Sequence, residues 1–266
     1  MTPTAKPHLI SKFIIAALIL VVLVAGFIIW RLPKRSTVAT SYNTETTSDH
    51  TTSKSESGTL MIKSLPIQLA AYDASTQKAG DLLFTKAKLG EFDLPFFPYG
   101  FEILANSAGP AKKNPQPTFI VPLGTKVLSI VDGVVQQIPQ LYSQDYSIMV
   151  GQSLNSSTVY ETEHVIKPIV KVGDKVKAGQ VIAEVSDYDS KNTPGYGLVE
   201  IGILEGGNPP QHSCPFSELD PSVKDKISEQ LKTLYQDWET YRTNTKLYDE
   251  TKEPITGCLS LDKIEG

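Results

Sequence analysis

The chain has no positive charge to spare. Its 25 Lys and Arg stand against 29 Asp and Glu, a formal net charge of −4 with a pI near 5.6. No basic stripe and no aromatic-plus-basic cluster appears, which excludes nucleic acid as a partner. Cysteine is nearly absent as well. Cys214 and Cys258 are the only two, one before and one after a predicted helix. A lone pair in a polar domain points to a disulfide and a location outside the cytoplasm, the alternative being two free buried thiols.

Long apolar runs are missing too, with one exception. Residues 13–30, "FIIAALILVVLVAGFIIW", are 18 consecutive apolar residues or glycine. As a helix they would span about 27 Å, just enough for a bilayer's hydrocarbon core, and Trp30 closes the run as an interfacial aromatic would. No clear Ala-x-Ala site follows, so a retained signal anchor is favoured over a cleaved signal peptide. Lys6 and Lys12 precede the run and Arg31, Lys34 and Arg35 follow it, so charge leaves its orientation open. A membrane is therefore an expected partner, with the bulk of the chain extracytoplasmic.

After an N-terminal stretch (1–12) and the anchor comes a tether at 31–58. Its "STVATSYNTETTSDHTTSKSESG" holds almost nothing to bury, and His50 within it reads as solvated. Order is expected from Thr59. A β extension at 59–94, with "TLMIKSLPIQLAAYD" and "DLLFTKA" as strands, leads into a β core at 95–206. Short strands punctuated by Gly, Pro and Asp predict a small barrel or sandwich. The stretch "VKVGDKVKAGQVIAEV" (170–185) shows period-2 apolar alternation broken by Gly-Asp and Ala-Gly, the pattern of a strand hairpin with tight turns.

A third region, 207–266, carries the helix. Asp220 and Pro221 read as N-cap and first helical residue, so the helix is expected over 220–243. Val223, Ile227, Leu231, Leu234, Trp238 and Tyr241 then recur at steps of 4, 4, 3, 4 and 3. That is one apolar stripe, expected to pack on the sheet.

Four segments in order resemble the lysostaphin-like (LytM-type) zinc peptidases, which cut peptide crosslinks in bacterial cell walls. "PYGFEI" (98–103) resembles the family's His-x-Gly-(Ile/Val)-Asp-Ile. "VPLGTKVLSIVDGVV" (121–135) resembles Ala-Pro-x-Gly-Thr-x-Val…Ala-x-Gly-x-Val. "ETEHVIKPIVKVGDKVKAGQVIAEV" (161–185) resembles Tyr-x-His-Leu…Val-x-x-Gly-x-x-Val-x-x-Gly-x-x-Ile, and "GLVEIGIL" (197–204) stands where the family has His-x-His-Phe-Glu. The resemblance implies a mainly β, barrel-sandwich hybrid fold with one C-terminal helix.

It also implies a site, and the site is depleted. A hydrolytic zinc needs three protein ligands and an open position for water. Carried over, the first ligand His falls on Pro98 and the Asp on Glu102. The His of Tyr-x-His, a catalytic position, falls on His164. The His-x-His pair falls on Gly197 and Val199, or, one residue along, leaves Glu200 as the metal ligand. His212, near Cys214, would complete only a two-ligand pair, too few for zinc. The expectation is therefore a cell-wall-associated binding or regulatory module without a cofactor, its partner peptidoglycan or a cell-wall enzyme. The alternative is a zinc endopeptidase rebuilt on Glu102, His164 and Glu200. Three other users of such a hairpin are excluded. A swinging-arm carrier needs a Met-Lys pair, an efflux fusion subunit needs long heptad helices, and a sugar phosphotransferase subunit needs paired histidines. None is present.

Overall fold

Alternation along two long neighbouring strands sets both faces of this protein. The computed structural model describes residues 59–105 and 110–266; the predicted anchor and tether lie outside them. No described helix is long and apolar enough to cross a membrane. In chain order the described strands are β1 (Lys78–Ala79), β2 (Leu82–Leu83), β3 (Phe96–Phe97), β4 (Glu102–Ile103), β5 (Lys112–Lys113), β6 (Thr118–Pro122), β7 (Lys126–Leu128) and β8 (Gly133–Gln137). They continue with β9 (Tyr146–Gly151), β10 (Thr158–Ile166), β11 (Lys175–Val176), β12 (Val181–Val185), β13 (Tyr196–Glu205), β14 (Gln211–Ser213) and β15 (Ile264–Glu265). One α-helix, α1, spans Lys224–Arg242.

Eleven strands join one sheet whose spine runs β11-β8-β9-β10-β13-β14-β15, while β1-β2 and β4-β5 are separate ribbons. The first half of β13 pairs with β6 and its second half with β14, so the sheet branches at its centre. On β10 and β13 the residues Tyr160, Thr162, Val199, Ile201 and Ile203 are buried toward the core. The alternate residues Glu161, Glu163, Leu198, Glu200 and Leu204 line a cavity on the other face. The mainly β architecture with one helix agrees with the sequence reading.

Local details differ from expectation. The 170–185 stretch is not a self-paired hairpin: β11 pairs with β8, and β12 pairs with β10 and β7. The two turns separate strands that go to different neighbours. Residues 59–73 form no strand beyond a bridge from Ile62 to Leu219 and another at Asp73. Their apolar side chains Ile62, Leu65, Ile67 and Leu69 are nonetheless buried. The helix starts at Lys224, because Asp220 instead closes a turn by accepting the backbone N–H of Ser222 at 2.9 Å.

The helical stripe is buried as expected at Ile227, Leu231, Leu234 and Trp238, with Tyr235 added. Each such side chain contributes about 1.5–3 kcal/mol by leaving water. Trp238 meets Phe84 edge to face at 4.9 Å and donates its indole N–H to the Asp93 carbonyl at 3.0 Å. The helix thus welds the 59–94 segment to the sheet. The Cys214–Cys258 disulfide is formed, its Cα atoms 6.1 Å apart, and there are no free cysteines.

Candidate functional site

The cavity over β10 and β13 has a volume of about 630 Å3, and Glu161, His164 and His212, all buried, line it. Its floor follows from strand register. Glu163 stands directly opposite Glu200, and Glu161 opposite Gly202. Glu161 accepts from Ser147 Oγ at 2.6 Å, and Gln116 Nε2 bridges Glu161 and Glu163 at 3.1 Å each. Burial, and then the neighbouring Glu163, push the Glu161 carboxyl well above its ordinary range. Burial also raises Glu200, partly opposed by His164.

His164 reaches this face by a backbone irregularity. Two consecutive residues of a regular strand point to opposite faces, yet Glu163 and His164 both line the cavity. The β9–β10 register shifts between Thr162 and Val165, and His164 sits in the left-handed region at φ 58°. Its carbonyl accepts the Ser186 N–H at 2.9 Å, which holds the bulge. His164 Nδ1 lies 2.9 Å from Asp145 Oδ2, and Ser186 Oγ donates to the same oxygen at 2.6 Å. Asp145 also accepts from Ser143. Nε2 points the other way, 3.8 Å from Glu200 Oε2. Burial pushes the imidazole down, but Asp145 and the Glu200 and Glu163 charges outweigh it and hold His164 above its usual value. Tyr188 lies flat against the ring.

Of the residues singled out from sequence, the fold brings together His164 and Glu200. It leaves Glu102 out. Glu102 is exposed on β4, opposite Lys113, because the 98–103 segment runs along the disulfide-pinned tail and not along β13. Tyr99 donates its N–H to the Gly257 carbonyl and its own carbonyl accepts from Leu259. On the side of β13 away from β10 the partner is β6, and the residue opposite Glu200 there is Thr118. Asn114 precedes Thr118 by four, the His-to-Asp spacing of the family's first motif. Glu102 therefore does not join His164 and Glu200, and the side chains beside Glu200 with the motif's spacing are Asn114 and Thr118.

The same geometry decides the register of the last motif. Gly197 and Val199 are buried core positions, while Leu198 and Glu200 face the cavity. A Cβ on Gly197 would sit 1.9 Å from the Ser186 carbonyl oxygen, so only glycine fits there. Leu198 and Glu200 thus stand at the His-x-His pair.

Residues 117–207 match the family model for peptidase family M23. These residues are an M23 peptidase-family domain, related to cell-wall peptidases. The "PYGFEI" segment falls outside the matched range. No curated protein matches the chain. Among solved structures, lysostaphin in solution is similar with a TM-score of 0.36 and 19% identity, covering 52% of this chain and 49% of that one. The chain thus spans about half the length of lysostaphin. A catalytic-domain mutant of the prophage-encoded M23 protein EnpA from Enterococcus faecalis scores 0.33 at 21% identity, over 48% of this chain and 95% of that one. A chain of the SpoIIQ-SpoIIIAH pore forming complex scores 0.38 at 15% identity, over 62% and 97% respectively.

The zinc set of the family does not fit the M23 domain of this chain. Asn114 Nδ2 donates to Thr118 Oγ1 at 3.2 Å and to the Gln116 carbonyl at 2.6 Å. The Thr118 hydroxyl lies 2.9 Å from that carbonyl and 3.2 Å from Glu200 Oε1. An amide and a hydroxyl, neither a ligand zinc favours, thus satisfy each other where an imidazole and a carboxylate belong. The donors that do converge are Glu163, His164 and Glu200, whose ligand atoms lie within 4.8 Å of one another. One nitrogen among two carboxylates suits harder cations better than zinc.

Proposed function

We propose that this chain is a membrane-anchored protein whose M23 domain lies outside the cytoplasm and serves as a binding or regulatory module of the cell wall, without hydrolysis. The observation that carries this reading is the Asn114–Thr118 pair beside Glu200. Two of three ligand positions hold side chains already hydrogen-bonded to each other. The relation to cell-wall peptidases supports peptidoglycan, or an enzyme acting on it, as the partner.

A double assay tests it. The purified chain is loaded with zinc, desalted and analysed for metal, then incubated with crosslinked peptidoglycan fragments. Binding of fragments without stoichiometric metal and without cleavage is expected. The Glu163, His164 and Glu200 cluster favours one competing reading, a rebuilt metal-dependent endopeptidase. Stoichiometric metal with cleavage that disappears in both His164→Ala and Glu200→Ala would establish that reading and overturn ours. The topology is tested separately by protease treatment of intact spheroplasts, which should digest the domain; full protection would sink that part.

A further inference from the structure

We infer that the cavity over β10 and β13 is a receptor for an alkylammonium group, the amine-bearing end of a lysine-type side chain. The inference rests on the binding-module reading above. Its first support is an unmet demand for positive charge. Glu163 and Glu200 face each other across the strand pair, an arrangement that like charges disfavour. Among the described residues, no lysine or arginine forms an ion pair with Glu161, Glu163 or Glu200. Lys112 lines the cavity and acts on Glu200 only at longer range, and His164 Nε2 stands 3.8 Å from it, so the three carboxyls are countered in part only.

The second support is independent of the carboxylates. His212, on β14, lines the same cavity and is 4% exposed. Its Nδ1 is buried without a hydrogen-bond partner. That nitrogen lies beside Gly202, where an added Cβ would meet Leu204 Cδ1 at 3.1 Å, the nitrogen itself at 3.2 Å and Gln116 Cγ at 3.3 Å. Gln116 is the residue that bridges the floor glutamates. Burial pushes His212 toward its neutral form, in which Nδ1 can accept a proton donor. A buried polar atom without a partner in a cavity wall is a place for a ligand group.

The walls supply the rest of the specificity. Phe92, Phe97 and Phe101 pack against one another on one side, centroids 5.0–5.6 Å apart, and Tyr188 stands among the other lining residues. Aromatic faces attract an organic cation and cover its alkyl stem. A bare metal ion would use neither the rings nor most of the 630 Å3. An ammonium carries three N–H donors, suited to carboxylates and to an imidazole acceptor, on an apolar chain suited to the rings.

The test titrates the full chain with Nα-acetyl-lysine amide, with its Nε-acetylated counterpart, and with zinc or manganese alone. Saturable binding of the free amine is expected, with the neutral counterpart roughly ten- to hundredfold weaker, the loss expected for a charge-assisted contact. The His212 ring resonances should shift on binding. The variant Glu163→Gln, which keeps an acceptor for Gln116, should weaken binding by a similar factor; its melting profile checks folding, and the His212 shift needs no variant at all. Equal affinity for the acetylated probe, no binding of either, an unmoved His212 ring, or binding of the metals only would overturn the inference. The probe has no crosslink to cut, so its outcome is separate from the peptidase question. Fragments that bind equally well with their amines acetylated would leave the binding module standing and remove the amine receptor.

Discussion

Tyr188 lies parallel to His164, with ring centroids 3.7 Å apart and planes 5° apart. The phenol covers one face of the imidazole, Asp145 fixes Nδ1, and Nε2 is left facing Glu200. Tyr142, itself 84% exposed, extends the cover through a 2.8 Å hydroxyl contact with Tyr188. His164 is thus a held, roofed element of the cavity wall.

The first prediction concerns that histidine. Its protonated form is favoured in the fold, so its titration midpoint by NMR should lie above the ordinary 6.5 and fall in Asp145→Asn. A raised histidine contributes stability that is complete below its unfolded pKa and lost as pH rises through the folded one. The stability gap between wild type and Asp145→Asn should therefore narrow as pH rises above about 6.5 and through the folded midpoint. Chemical denaturation across that range measures it. A gap that widens would reverse the assigned sign.

Glu161 gives the opposite profile. Burial and Glu163 raise its carboxyl pKa, so ionisation opposes folding, and stability is lost as pH rises above the unfolded carboxyl value. Ser147 can reverse its hydroxyl to accept from an amide. Glu161→Gln should therefore be more stable than wild type by on the order of 1–2 kcal/mol near pH 8, with the gain shrinking toward about pH 5. Loss of stability at every pH would refute this.

The disulfide closes 44 residues of separation around α1. On the chain-entropy model, replacing Cys214 and Cys258 together by Ala should cost roughly 3–4 kcal/mol. Urea unfolding under non-reducing conditions reads the difference. An unchanged midpoint would mean that the link constrains little in the unfolded chain.

Gly197→Ala should cost about 3 kcal/mol or more, since the added methyl collides with the Ser186 carbonyl in a packed interior. Gly206→Ala is the control. A Cβ there meets nothing within 4 Å, and its midpoint should stay near wild type.

How much of this was legible beforehand divides along physical lines. Apolar period carried the β core and the helical stripe, because burial is a property of side-chain type and spacing, and the disulfide followed from there being only two cysteines to pair. The site was half legible. His164 and Glu200 stood out because they align with chemistry-bearing positions, but whether Glu102 joins them turned on which strand lies beside β13, a long-range pairing that local sequence does not encode. Asn114-x-x-x-Thr118 has the right spacing, but an amide and a hydroxyl are not the side chains by which that spacing marks a metal site. The alternation of Glu161 and Glu163 just before His164 was a further signal for the cavity floor. Asp145, in contrast, announces itself only through its contact with His164.

At the rim of the main sheet, two-residue β15 pairs with β14, and the Cys214–Cys258 link holds the segment leading to it. Tyr99 reinforces the strap, its hydroxyl 2.7 Å from the His212 carbonyl and 2.8 Å from that of Asp262. Unpaired strand edges recruit strands from other molecules, and short, charged outer strands discourage it. Lys263 and Glu265 flank and end this one, and Lys263 pairs with Glu205. The covalent link therefore guards against self-association as well as unfolding. Reduction would leave that margin held by the Tyr99 hydroxyl, the Lys263–Glu205 pair and the β14–β15 ladder alone.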